Sequence, residues 1–294
     1  MRYHDLMQPS LKHRILRFIG HLDGVRGRDR ILRAFSNPES CPSYPFEVDF
    51  YGKKYTGNLT SYIDWIVFYY GSMSPNELHL LGALADALRA QGKPVNFYDV
   101  GANIGHHTLY MSSHADRIFS FEPFSVVRDE MKRKLAHAGV TNATIFPVAM
   151  GDQTETGTYF PPTGANQGTG TLGNILPDNA AAEPISVDVV RGDDFFAANN
   201  LPPISLLKID VEGYEVKALA GMKETLWRDR PPIVMELQPG SRGATVLNML
   251  YPDHLLFKVP NHGKFELQPY EPGETDDALV LPRELAGIIP GSNV

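Results

Sequence analysis

The chain of 294 residues has a single cysteine, Cys41, so no disulfide can close within it, and a reducing, cytoplasmic setting is expected. It lacks the run of about 18 apolar residues that a membrane-spanning helix needs. The densest apolar stretch, YIDWIVFYY at 62–70, is short and carries Asp64. The opening MRYHDLMQPS has no apolar signal-peptide core. Positive charge is also scarce. With 27 Lys and Arg against 34 Asp and Glu the net charge is −7, which argues against broad nucleic-acid binding. What is present, 43% hydrophobic and 21% charged residues, is a globular composition, and the length suits one large α/β domain with an N-terminal appendage.

The scarce positive charge is unevenly spread: residues 1–40 hold eight Lys and Arg against four Asp and Glu, leaving nineteen against thirty in the remainder. Leu11, Ile15, Phe18, Ile19 and Leu22 recur at helical spacing beside Lys12, Arg14 and Arg17. This row reads as a helix packing on its own domain or on a second subunit, in a homo-oligomer joined through the extension; peripheral membrane contact is the alternative. After the proline-rich boundary NPESCPSYP (37–45), residues 46–58 alternate about Gly52 as a hairpin, and 59–70 form aromatic packing or substrate-access structure. Ser74-Pro75-Asn76-Glu77 then opens an amphipathic helix through Leu78, Leu81, Leu84 and Leu88. The division is therefore an extension over 1–73 and a main domain over 74–294.

From Val95 onward the pattern repeats, with strands expected at 95–100, 117–122, 144–149, 204–210 and 231–237 and helices near 106–114, 125–138 and 215–227. Such alternation implies a Rossmann-like, mostly parallel sheet with right-handed crossovers. A further helix is expected near 241–250. HLLFKVP (254–260) and DDALVLP (276–282) should end the sheet as an antiparallel pair. The exception is 152–203, with Gly157, Gly164, Gly168, Gly170 and Gly173 before a strand-like ISVDVV; it reads as a glycine-rich lid.

The first of these strands and its continuation, NFYDVGANIGHHTLY (96–110), read as strand, glycine turn and helix, the place where a nucleotide-like cofactor binds in an open α/β sheet. Gly101 and Gly105 permit positive φ and a ligand against bare backbone, and the N–H groups opening the helix are expected to await an acceptor. Asn103 replaces the middle glycine of the dinucleotide fingerprint G-x-G-x-x-G, which weakens a pyrophosphate reading. Asp99 suits an ammonium group and would repel phosphate. Glu122, 21 positions after Gly101 and followed by Pro123, stands where a carboxylate accepts bonds from ribose hydroxyls. Met150 and Asp152 follow the third strand, near the expected adenine edge.

In ISLLKIDVEGYE (204–215), alternation puts Leu206, Lys208 and Asp210 on one face of a central strand and Leu207, Ile209 and Val211 on the other. Buried charges are costly unless paired or used, so Lys208 and Asp210 are either an ion pair or working groups. Glu212 and Glu215 come next, and Glu236 in PPIVMELQP stands at corresponding height. These carboxylates could act as base, as metal ligands or as clamps on substrate hydroxyls.

DVGANIGHHTLY, FEP, the Asn166-x-Gly168 loop, KIDVEGYE and PPIVMELQP, in that order over about 95–282, resemble the FkbM family of S-adenosylmethionine-dependent methyltransferases. The resemblance implies the class I methyltransferase fold, a seven-stranded sheet whose last strand is antiparallel, and S-adenosylmethionine as cofactor. It implies O-methylation of a small-molecule or glycan hydroxyl, such as that of a sugar or natural product. On this reading Asp99, Gly101, Asn103, Gly105 and Thr108 bind the cofactor together with Glu122, Pro123, Met150, Asp152 and Asp210. Asn166, Glu212 and Glu236 meet the acceptor, while His107, Lys208, Asp210 and Glu236 are the catalytic candidates, with Asp210 or Glu236 either serving as the base directly or orienting His107. No metal is assigned. A nicotinamide-dependent oxidoreductase and a noncatalytic S-adenosylmethionine-binding protein remain the alternatives.

Overall fold

A computed structural model describes residues 9–22, 26–162, 164–166, 170–173, 183–237, 245–246, 249–260, 266–270 and 276–288. The N-terminal part comprises helices α1 (Leu11–Gly20) and α2 (Arg28–Phe35), the hairpin of β1 (Pro45–Phe50) and β2 (Lys53–Asn58), and helix α3 (Tyr62–Tyr70). Ser10 caps α1, its hydroxyl accepting the His13 N–H. Helix α1 buries Leu16 and Gly20 against α3, so closely that a Cβ on Gly20 would lie 2.1 Å from the Tyr69 carbonyl oxygen. Arg17 Nε donates to the Phe68 carbonyl at 2.9 Å. This close backbone approach selects a narrow inner face. The apolar row of Leu11, Ile15, Phe18 and Leu22 is left exposed, correcting the expectation that it packs on its own domain.

The main domain continues with α4 (Pro75–Ala90), β3 (Asn96–Val100), α5 (His106–Met111), β4 (Arg117–Phe121), α6 (Ser125–His137), β5 (Ala143–Phe146), β6 (Ala149–Gly151), β7 (Glu155–Phe160), β8 (Thr171–Leu172) and β9 (Ile185–Arg191). Then come α7 (Gly192–Ala198), β10 (Leu206–Ile209), α8 (Glu215–Gly221), α9 (Lys223–Asp229), β11 (Ile233–Leu237), β12 (His254–Val259), β13 (Gln268–Pro269) and β14 (Asp276–Pro282). The large sheet has the order β13-β12-β14-β11-β10-β3-β4-β5. Strands β5, β4, β3, β10 and β11 are parallel, and β14 inserts antiparallel between β11 and β12. The expected antiparallel pair is present, and the short β13 adds an edge beyond the seven strands anticipated.

Alternation along the strands gives the sheet two apolar faces. Phe97, Leu206, Val234 and Leu279 pack with α4, α5 and α6, in a core that also takes in Phe46, Tyr55 and Trp65 of the N-terminal part. Tyr98, Leu207, Ile209, Met235 and Val280 pack with Phe196, Leu219 and Leu226 of α7 to α9. Ser74, whose φ is +48°, precedes Pro75 in the first turn of α4.

Two expectations are corrected. The strand foreseen at 144–149 breaks after Phe146, and β6 joins a second sheet ordered β6-β9-β7-β8. The described residues of 152–203 are therefore mostly strand and helix, not loop. Tyr159, Leu172, Val187 and Val189 form a buried apolar face on this second sheet, and a Cβ on Gly157 would lie 2.6 Å from the Val189 side chain. Gly168 and most of the helix expected near 241–250 fall outside the described residues.

Candidate functional site

Strand β3 ends at a turn that its neighbours dictate. Gly101 has φ +84°, and a Cβ there would lie 1.8 Å from the Asp210 carbonyl oxygen, so glycine lets the ends of β3 and β10 meet. The Gly101 and Ala102 N–H groups both donate to the Phe121 carbonyl at 3.1 Å. Asn103 N–H donates to Glu122 Oε2, Ile104 N–H to Asn103 Oδ1, and Gly105 N–H to the Ala102 carbonyl. The donors of the turn itself, from Gly101 to Gly105, thus have partners within the chain. Gly105 answers to packing: a Cβ there would meet Met131 of α6 at 2.6 Å.

Glu122 ties this turn to the end of β4. Its Oε2 accepts the Asn103 N–H at 2.9 Å and its Oε1 the Phe124 N–H at 2.8 Å. Burial pushes its pKa up to about 7, and the two backbone N–H bonds pull in the opposite direction. Each carboxylate oxygen keeps accepting capacity beyond these bonds. Beside Glu122 a cleft of about 590 Å³, open to solvent, lies at the carboxyl ends of β3, β4 and β10. Gly101, Asn103, Glu122, Pro123, Met150, Asp210 and Glu212 line it, all singled out in the sequence. Tyr159, Gly170, Leu172 and Tyr214 line it as well. Three carboxylates and no Lys, Arg or His face this cleft among the described residues. Burial, and then Asp210, Glu236 and Glu215, raise the pKa of Glu212 to about 8.

Asp99 and Thr108 sit behind the cleft. Asp99 is fully buried, its Oδ2 accepting the Thr108 hydroxyl at 2.6 Å, while Thr108 also meets Ser120 Oγ at 2.7 Å. Asp99 Oδ1 has no hydrogen-bond partner among the described residues. Asp152 stands at the surface, 4.0 Å from Lys217 Nζ, and Asn166 lies outside the cleft lining.

A second constellation lies on the sheet face covered by α4. Lys208 is buried beside Asp99 in register, and its Nζ donates to Asp210 Oδ2 at 3.1 Å. Burial alone would lower the lysine pKa, but Asp210, Glu77 and Asp99 raise it above its ordinary value. His107 Nε2 donates to Glu77 Oε2 at 3.0 Å. Burial works to raise the Glu77 pKa, yet His107 and Lys208 hold it down at about 2. Glu77, not Asp210 or Glu236, therefore holds His107. Glu236 pairs in register with Asp277 of β14, whose pKa burial and the carboxylates of Glu77, Asp210 and Glu236 raise to about 8 against the pull of Lys208. Among the described residues, no group of three His, Cys, Asp or Glu side chains is placed to hold a metal ion.

Glu77 and Asp277 were missed in the sequence. A signal for Glu77 existed: it falls on the same helical row as Leu81, Leu84 and Leu88, where a carboxylate is out of place. For Asp277 no local signal distinguishes it from an ordinary strand-end acid.

A mostly parallel sheet with a strand inserted antiparallel between β11 and β12, and a cleft at the carboxyl ends of its central strands, is a class I methyltransferase arrangement. The chain belongs to the FkbM family: the family model described as the methyltransferase FkbM domain matches residues 99–263. It is 28% identical over 131 residues to the hexuronic acid methyltransferase AglP of Haloferax volcanii, a stretch covering 44% of this chain and 50% of that protein. It is 29% identical over 174 residues to the 31-O-demethyl-FK506 methyltransferase FkbM of Streptomyces tacrolimicus, covering 48% and 64%. A solved structure of methyltransferase FkbM from Methylobacillus flagellatus is similar at a TM-score of 0.44 and 17% identity, over 64% of this chain and 43% of that one. The matches thus cover half to just under two thirds of these two curated relatives' own length.

Proposed function

We propose that this chain moves the methyl group of S-adenosylmethionine to a hydroxyl oxygen of a sugar, glycan or natural-product acceptor. The observation that carries the reading is the cleft beside Glu122, lined by three carboxylates and no cationic side chain among the described residues. Such a lining suits a ligand with a sulfonium, an ammonium and two ribose hydroxyls, and it repels the pyrophosphate of a nicotinamide dinucleotide. Glu122 would accept from the ribose hydroxyls, Pro123 and Met150 would flank the base, and Gly101, Asn103 and Asp210 would line the remaining length. When bound, the cofactor supplies an electrophilic methyl carbon.

The protein's own task is to orient the acceptor and take its proton, since a sugar hydroxyl barely ionises at neutral pH. With its Nε2–H given to Glu77, the imidazole of His107 keeps Nδ1 as the basic lone pair, and Glu77 would steady the imidazolium formed. Lys208 fixes Asp210 at the cleft, where Asp210 and Glu212 would engage acceptor hydroxyls. Gly170 and Leu172 of the insert, which line the cleft, would flank the bound ligand. Cys41 as the single cysteine fits a cytoplasmic setting. Calorimetry tests the reading: S-adenosylmethionine and S-adenosylhomocysteine should bind and NAD should not. Binding of NAD alone would move the chain to the oxidoreductases.

A further inference from the structure

Helix α1 presents an apolar row to solvent, although Leu16 is buried. Leu11 is 72% exposed, Ile15 51% and Phe18 67%, and Leu22 continues the row one turn on. At 100° per residue these four fall within a narrow stripe, and exposed Lys12 and Arg14 flank it on opposite sides. Helix α2, packed against α1, adds Ile31 and Phe35, 40% and 61% exposed. Residues 11–35 carry seven Lys and Arg against two Asp, although the whole chain has a net charge of −7. No helix among the described residues is long and apolar enough to cross a membrane.

We propose that the α1–α2 face is a monotopic membrane-binding surface, taking an anionic lipid bilayer with Leu11, Ile15 and Phe18 inserted at the headgroup boundary. An apolar stripe edged by cations is the pattern of an in-plane interfacial helix, whose long basic side chains lie along the apolar boundary with their charges at the phosphates. Charge decides between a bilayer and a second copy of the chain. A two-fold dimer through this face would set the same cation-edged patch against itself and bring like charges together. An anionic surface instead attracts each of these cations. The bilayer would thus anchor the enzyme by its N-terminal helices.

Co-sedimentation of the full chain with vesicles of equal parts phosphatidylcholine and phosphatidylserine tests this. The wild type should pellet with these vesicles, bind vesicles of phosphatidylcholine alone more weakly, and be released by high salt. Phe18→Glu and Ile15→Glu should each weaken partitioning by about tenfold or more, and the double variant Lys12→Gln with Arg14→Gln should weaken binding only to the anionic vesicles. Because these side chains are exposed, melting temperature should not change. Failure to pellet, or unchanged binding by both glutamate variants, overturns the proposal. A dimer in sedimentation velocity without lipid that Phe18→Glu dissolves would assign the face to a second copy and overturn it too.

Discussion

Lys134 Nζ lies 2.7 Å from Asp64 Oδ1 in an ion pair that neither side chain exposes, joining α6 of the main domain to α3 of the N-terminal part. Tyr55 hydroxyl also donates to Asp64 Oδ1, Asn58 N–H donates to Asp64 Oδ2, and Lys134 additionally donates to the Thr56 carbonyl. The pair is thus fully enclosed in hydrogen bonds, the condition under which a buried ion pair is tolerated. Asp64→Ala would strand the lysine charge and should cost about 3–5 kcal/mol in urea unfolding. A cost under about 1 kcal/mol, the range of exposed pairs, would mean that water reaches the site.

Glu122 should matter twice over, because it both holds the Asn103 turn and faces the cleft. Glu122→Ala is expected to weaken S-adenosylhomocysteine binding by about 1.5–3 kcal/mol and to lower melting temperature as well. Unchanged calorimetric affinity would leave Glu122 with the turn alone.

The raised carboxyls set a pH dependence. Glu122 at about 7 and Glu212 at about 8 are partly protonated near neutrality in the free protein. A cationic ligand and ribose donors favour the ionised forms, so affinity for S-adenosylmethionine should rise with pH through about 7 to 8, with protons released on binding. For the free protein the direction is opposite: a folded-state pKa above the unfolded one, about 4.3 for Glu, lowers stability as pH passes from that value to the folded one. Calorimetry in buffers of different ionisation enthalpy would count the protons. Proton uptake in place of release would refute this assignment.

The contact between Glu77 and His107 predicts a rate effect. Glu77→Gln keeps the shape but removes the charge that would steady an imidazolium, so turnover should fall by about tenfold or more, roughly 1.4 kcal/mol of barrier, with cofactor affinity retained. His107→Ala should fall at least as far. If both variants keep wild-type turnover, His107 is a packing residue and the base lies elsewhere.

For Asp210 and Glu236 the substitutions Asp210→Asn and Glu236→Gln separate chemistry from structure. Groups that engage the acceptor should each cost about tenfold or more in turnover with little change in melting temperature. A purely structural pair would show the reverse. Loss of activity with EDTA and recovery with Mg²⁺ would instead make both carboxylates metal ligands.

Much of the architecture is set by local pattern. Alternation in KIDVEGYE put Lys208 and Asp210 on one face and Leu207 and Ile209 on the other, as found, because side-chain direction in a strand depends only on its period of two. The turn at Gly101, the carboxylate at Glu122 and the strand–helix alternation of the large sheet were legible for the same reason: each rests on residues within one element or one turn. Which element meets which was decided only in three dimensions. Glu77 finds His107 across 30 positions, and Asp277 finds Glu236 through a strand inserted antiparallel beside β11. The apolar row of α1 was visible, but its direction was not. Gly20 and Leu16 won the contact with α3 by letting backbones approach, and the larger row was turned to solvent. Periodicity records that an element has an apolar face, and only packing decides what covers it.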